Sequence, residues 1–566
     1  MHTFYMSGVT PAYTPFALQA LLKKHPQAFV VVNNNREAYT LEAQLQKLSP
    51  EASIITFPAW DCLPYDRVSP CVDVMAARMQ ALRFLTAEPN LPTTVIVPVA
   101  ALLQRVVGQT VFAQGAKTLH VGEALSYSAL LTYLTENGFT RRECVYEVGD
   151  FALRGSLMDV FPPGYGNPLR IDFFGDVVES IREFDVQTQK TLAHQTCVTL
   201  QPFGEVTLTP NVVERFKQQY RGAFSHQSTA LHKDPIFEHI GAGKPYPGME
   251  HWLPLFYEET ATLLDYMPRA SLFITCEKSA VHTFLSEVQN YYTAREHPVM
   301  TQEVYRALPP EKLYLTVAQW DACKQNHPIT YLGFFSRPDA TPMQTQPALD
   351  FAAARKRGAK ALSDALMEAL ADYKHLKPVF VAGSPGGVER LKVFVVDAGI
   401  TLHESASWPM DADPIATLVH FPLEHGFITP SQLAITDQDL FGEKQERAAL
   451  ARRRSDKFFQ DISALHTHDV VVHRHHGFGR YDGLETLTIN NNPHDCLRLL
   501  YADNDKLFLP VENIDLITRY GGDHTLVQLD KLGSNAWNNR KAKVKKRIAV
   551  VADYLIRLAA ERTLHQ

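Results

Sequence analysis

The sequence predicts a multidomain protein of mixed α/β and α+β class, and three observations carry that reading. At 566 residues the chain exceeds what one hydrophobic core holds, since cores stop growing near ~250–300 residues. Apolar strand runs alternate with helix-period segments in two separate stretches, as a parallel sheet with crossover helices requires. Elsewhere lie short strands punctuated by Gly-Asp and Asp-Asn turns, the pattern of hairpins and small barrels.

Taken in order, Ala28-Phe29-Val30-Val31-Val32 reads as a buried strand, Arg36 to Leu48 as a helix, and Thr94-Val95-Ile96-Val97-Pro98 as a second strand. Residues 1–117 are therefore the first part of an α/β domain. Residues 118–202 change pattern to one helix, Tyr127 to Asn137, followed by strands at 150–155, 156–161 and 169–183 that turn at Gly175-Asp176. This is an inserted α+β hairpin module. Residues 203–335 are mixed again and are expected to return to the first sheet. A second α/β domain occupies 340–445, where Pro378-Val-Phe-Val-Ala runs into Gly383-Ser-Pro-Gly-Gly and a helix. A linker at 446–457 leads to about five short strands in 458–535, expected to close as a small SH3/Tudor-like β-barrel, and residues 536–566 read as a basic amphipathic helix.

Hydrophobic residues make up 45% and charged residues 20%, with 29 Gly and 35 Pro; that is ordinary globular usage, neither disordered nor collagenous. No run approaches the ~20 apolar residues that span a bilayer, and the N-terminus lacks the basic and apolar regions of a signal peptide. A cytoplasmic protein without membrane contact is expected. Seven cysteines with no C-x-x-C pair argue against a disulfide framework or an all-cysteine zinc site. The net charge of -6 is uneven: residues 451–566 carry 18 Lys/Arg against 14 Asp/Glu, leaving 37 against 47 for residues 1–450. The basic tail suits an acidic partner or a phosphate backbone.

The chemistry that is missing narrows the function. A nucleotide-binding loop needs G-x-x-x-x-G-K-[ST], whose glycines admit backbone N–H groups to the phosphates while Lys and the hydroxyl serve charge and magnesium. The nearest match, Gly241-Ala-Gly243-Lys244-Pro245, has Glu238 for the first Gly and Pro for the hydroxyl. No Asp-Glu dipeptide exists either, so a magnesium-and-water box is absent and no ATP hydrolysis is expected. Gly383 to Gly387 reads as a tight βα turn sooner than an anion site. The five histidines within 466–476 (His466, His468, His473, His475, His476) lack a convincing ligand set and read as a polar turn entering the barrel. Cys62 and Cys71 have no activating neighbour and read as buried small groups.

Binding surfaces are more legible. In Leu169-Arg170-Ile171-Asp172-Phe173-Phe174, alternation puts Ile171 and Phe173 on one face and Arg170, Asp172 and Phe174 on the other. With the aliphatic face as core, Phe174 stands exposed beside Arg170, paired with Val177, while Asp172 faces Glu179. Such a mixture suits a protein-binding hot spot; a second layer covering the face fits the residues equally well. Arg540, Lys541, Lys543, Lys545, Lys546 and Arg547 place six positive charges in eight residues, a DNA contact or, more commonly, a solvated helix between domains.

Several segments carry a resemblance. Gly138-Phe139-Thr140-Arg141, Glu147 to Pro162, Leu169 to Phe174 and Phe184-Asp185-Val-Gln-Thr-Gln resemble the UvrA-binding module of UvrB. Trp60 to Asp66, Leu423 to Glu443, Val472 to Gly483 and Lys506 to Val511 resemble the bacterial transcription-repair coupling factors, the Mfd family, from near residue 5 to the end. The resemblance implies a first domain similar to UvrB with a lost nucleotide site, Ser7-Gly8-Val9-Thr10-Pro11-Ala12-Tyr13-Thr14 standing where the phosphate loop lies. It implies UvrA binding through Arg154, Arg170 and Phe174, and docking of the barrel on the RNA polymerase β subunit through Leu487, for which an ordinary strand-core role is the alternative. It further implies that this chain is the N-terminal portion of a protein about twice as long, whose absent motor domains use ATP and Mg and move on double-stranded DNA. No cofactor is expected in the portion given. The rival readings are a stand-alone nucleic-acid-dependent nucleotide hydrolase and a non-enzymatic DNA-binding protein.

Overall fold

A computed structural model describes residues 3–87, 91–186, 188–225, 234–296, 305–335, 338–409, 415–442, 467–489, 492–510, 516–519, 528–533 and 537. Its first sheet is built from β-branched runs. Gln27–Val32, Thr93–Pro98 and Ser271–Ile274 bury almost every side chain, the two-sided burial in which Val and Ile outcompete helix formers. Seven strands stand in the order Thr341–Pro342, Thr3–Ser7, Ile329–Leu332, Ser271–Ile274, Gln27–Val32, Thr93–Pro98, Ser53–Thr56. Every pairing is parallel. The helix expected from Arg36 is Asn35–Leu48, begun by Asn34, whose Oδ1 accepts the Glu37 N–H at 3.0 Å. Residues 203–335 do return to this sheet, contributing two of its central strands.

The hairpin module leaves and re-enters through the antiparallel strands Lys117–His120 and Cys197–Leu200, with His120 opposite Cys197. Its six strands stand in the order Thr191–Gln195, Val177–Phe184, Leu169–Phe174, Leu157–Val160, Asp150–Arg154, Thr140–Arg142. The helix Tyr127–Glu136 packs Leu130 and Leu134 over Phe151, Met158, Val160, Leu169, Ile171 and Phe173; each such side chain contributes about 1.5–3 kcal/mol of burial. Across the insertion, Arg78 and Glu205 join the two parts of the first domain as a fully buried pair, Nε to Oε1 at 2.6 Å. Arg78 also donates to Pro58 O at 2.8 Å and lies over Phe57.

The second sheet is ordered Gln346–Pro347, Phe427–Ile428, Gln432–Thr436, Lys377–Ala382, Ala416–His420, Leu402–Ser405. Its last four strands are parallel. Gly426 sits against the Ala434 carbonyl with no room for a side chain, and its N–H donates to Asp439 Oδ2 at 2.8 Å, which accounts for the His-Gly-Phe segment structurally. Phe16 of the first domain enters an aromatic cluster with Trp408, Phe421 and Phe427 and joins the two α/β domains.

The expected barrel is a five-stranded antiparallel sheet, ordered Lys506–Pro510, Asn492–Leu500, Gly477–Ile489, Val470–His473, Ile517–Arg519. Two strands are longer than the sequence reading gave, 13 and 9 residues, because they form one extended hairpin. The two edge strands are not paired with each other among the described residues, so closure of the SH3/Tudor-like kind is not part of what is seen. Its core of Val471, Tyr481, Leu497, Leu499 and Tyr501 is completed by Val68 of the first domain. The expected linker at 446–457 and the basic helix, with Arg540 to Arg547, lie outside the described residues.

Candidate functional site

The outer face of the hairpin module gathers the residues with most to offer a partner. Antiparallel register sets them side by side: Arg170 faces Asp159 and Arg182, Asp159 faces Ala152, and Leu157 faces both Arg154 and Asp172. Arg142 stands opposite Ala152 on the far strand. Four arginines thus share this face. Phe174 occupies its end, opposite Val177 at the Gly175 turn, and is 78% exposed. Arg154 closes the neighbouring hairpin at the same end, two strands away, a lateral distance of about 10 Å.

Alternation placed Ile171 and Phe173 inside and Phe174 outside, as found. It placed Asp172 opposite Glu179, which is a correction: a bulge between Asp172 and Phe173 makes Asp172 face Ser180 and leaves Glu179 without an opposite residue. Asp172 instead pairs with Arg182 at 3.3 Å and accepts from Ser156 Oγ at 3.1 Å.

Charge accounting separates the arginines. Arg142 is held by Asp150 at 3.1 Å, and burial pushes the Asp150 carboxyl above its ordinary range against the pull of Arg142 and two backbone N–H groups. Arg170 was expected on the outer face beside Phe174, and its guanidinium is already engaged there. Its side chain is 15% exposed, and Nε and Nη2 lie 2.7 and 2.8 Å from the oxygens of Asp159, which raises the Arg170 pKa. Arg154 alone among the four has no carboxylate partner within the described residues; its Nη2 donates to Cys144 Sγ at 2.8 Å. The face therefore offers one unneutralised guanidinium and one exposed phenyl ring.

Other segments singled out by sequence are answered from within the chain. In the Ser7–Thr14 loop, the Gly8 and Val9 N–H groups donate to Phe334 O and Gly333 O, each at 3.1 Å, and the Thr10 N–H donates to Thr345 Oγ1 at 3.0 Å. Gly8, at φ +70°, has the Met343 carbonyl where a side chain would begin. Donors that a phosphate loop turns toward an anion are used up by protein oxygens. At Gly383–Gly387, Ser384 caps the helix Pro385–Asp397, and the Asp437 carboxylate lies against Gly387, so the helix terminus has its negative charge already. His473 Nδ1 accepts the His475 and His476 N–H groups at 3.1 and 3.2 Å and is held neutral, its pKa brought down to about 3 by burial and the two neighbouring histidines. It shapes a turn. Burial also raises the thiols of Cys62 and Cys71, the latter to about 12, which disfavours the nucleophilic thiolate.

Leu487 falls in the strand Gly477–Ile489, opposite His494; its side chain lies outside what the structure describes. Among the described residues no helix is long and apolar enough to cross a membrane, and no group of three His, Cys, Asp or Glu is placed to hold a metal. Sequence reasoning missed the Asp159 clamp and the Arg78–Glu205 pair, for which strand and helix periods carry no signal.

Two families of domain match this architecture. The UvrB interaction domain covers residues 118–205, the hairpin module with its arginine face, and the CarD-like/TRCF RID domain covers 465–521, the five-stranded sheet. The whole chain matches the transcription-repair-coupling factors. It is 30% identical over 97% of its length to the one from Rickettsia bellii, 31% over 90% to that of Escherichia coli, and 24% over 99% to that of Staphylococcus epidermidis. The chain spans about half the length of these relatives, 48%, 44% and 49%. The solved structure of S. tokodaii Xpd4 overlaps 72% of this chain and 80% of its own at 8% identity with a TM-score of 0.12, too slight a likeness to bear on the fold.

Proposed function

We propose that this chain is the recruiting portion of a transcription-coupled repair factor. Its hairpin module binds UvrA, its five-stranded sheet binds the RNA polymerase β subunit with Leu487 at the contact, and motion on double-stranded DNA, with its ATP and Mg, belongs to the further half that the relatives possess. The observation that carries the reading is Phe174, a large ring left 78% exposed at the apex of a UvrB interaction domain, at the same end of the face as an Arg154 with no carboxylate partner among the described residues. An exposed aromatic ring grouped with an arginine on one sheet face is the composition of a binding hot spot. The complementary surface is an apolar pocket rimmed by carboxylates. The bonded amides of the Ser7–Thr14 loop favour this reading over a stand-alone hydrolase.

The test is calorimetric titration of UvrA into the chain carrying Phe174→Ala or Arg154→Ala. Each substitution is expected to weaken binding by about 1–3 kcal/mol without moving the denaturation midpoint, because neither side chain is buried. Unchanged affinity in both variants would remove the hairpin face from the proposal.

A further inference from the structure

Arg170 can meet a partner with only part of its guanidinium. Nε and Nη2 lie against the two oxygens of Asp159 at 2.7 and 2.8 Å, Nη2 also reaches Gln189 Oε1 at 3.1 Å, and the plane rests over the Phe184 ring at 4.3 Å. Nη1 is left without a bond among the described residues. Asp159 is itself 2% exposed, beneath the arginine on the adjacent strand. Gln189 belongs to the turn that follows Phe184, at φ +60°, where its own Nε2 donates to Val186 O at 2.9 Å. A planar fork gripped along one edge and stacked on a ring has a single orientation.

We propose that Asp159 is a positioning residue of the docking face: its carboxylate, out of a partner's reach, fixes Arg170 so that Nη1 points outward as a preset donor. The proposal rests on the reading of this face as the UvrA-binding surface. Two effects of Asp159 oppose each other. By charge alone a carboxylate weakens a basic face that meets acidic groups, and neutralising it should tighten the complex. By orientation it spares the complex the cost of ordering a long side chain, and removing it should loosen the complex. The buried position of Asp159 and its two-pronged grip decide the contest, because its charge is spent on Arg170 and not displayed. Orientation dominates.

The sign of one substitution separates the two. UvrA is titrated into the native chain, Asp159→Asn, Arg170→Ala and the double variant, with denaturation midpoints measured alongside. Asp159→Asn is expected to weaken binding about tenfold, and to do so only while Arg170 is present, the double variant matching Arg170→Ala. Binding by Asp159→Asn that equals or exceeds the native chain overturns the proposal, as does an equal loss in both backgrounds. Should Asp159→Asn fail to fold, Gln189→Ala removes one bond to Nη2 and leaves the carboxylate; a loss of about twofold to fivefold confined to the Arg170 background supports positioning, and no loss overturns it. Phe174→Ala and Arg154→Ala bound as tightly as native would instead overturn the docking reading itself, whereas losses there without a loss in Asp159→Asn remove the positioning role alone.

Discussion

The first α/β domain and the hairpin module treat their polar groups in opposite ways. In the first domain the amides of the Ser7–Thr14 loop and the Arg78 Nε are met from within the chain, however distant the acceptor: Thr345 reaches back 335 residues to the Thr10 N–H, and Glu205 lies 127 residues from Arg78. In the module, one strand face leaves Phe174 bare and, among the described residues, Arg154 without an acid. The Ser7–Thr14 loop is thus filled, and a surface with no chemistry of its own is open. Position in a family's pattern does not distinguish the two; accounting for bonded donors does.

If this contrast holds, substitutions that remove the first domain's internal partners cost stability and leave partner binding alone. The largest effect is expected from Arg78→Ala, which strands the buried Glu205 carboxylate; about 3–5 kcal/mol should be lost in urea denaturation, and a loss under 1 kcal/mol would mean that the pair is not dry. Next comes Glu250, whose carboxyl burial raises to about 7, partly opposed by the Ser69 hydroxyl at 2.8 Å. Its folded-state pKa lies above the ordinary value, so its favourable share of stability is complete below about pH 4.5 and is lost as pH rises through 7. Glu250→Gln should therefore match the native chain near pH 5 and exceed it at pH 8.5 by about 3 kcal/mol; a gap independent of pH would show that the group does not titrate there. The smallest is Thr345→Val, which leaves the Thr10 N–H unmet and should cost about 1 kcal/mol. Loss of UvrA affinity in any of these three would blur the division between filled and open surfaces.

Much of the fold was legible because period survives in short windows. The strand at Gln27–Val32 announces itself by five consecutive apolar residues, and the Phe173/Phe174 alternation separates core from surface residue by residue. Local rules fail where one residue is inserted: Glu179 bulges, and the pairing of Asp172 shifts to Ser180. They fail again for Arg170, whose clamp comes from Asp159 on the adjacent strand; period gives the face of a side chain but not its cross-strand neighbour. The length of the Gly477–Ile489 strand was missed because its glycines read as breaks. The amides of the Ser7–Thr14 loop find their acceptors at residues 333, 334 and 345, which no window spans.

Lys117 and Leu200 stand opposite each other where the module joins its host, so the two ends of the excursion lie about 5 Å apart. To the host sheet such an insertion is a hairpin, whatever its length, and it need not shift a single host strand to accommodate the module. The module is built like a graft. A surface on such a stem can be exchanged or removed as a unit, leaving the host sheet as it is.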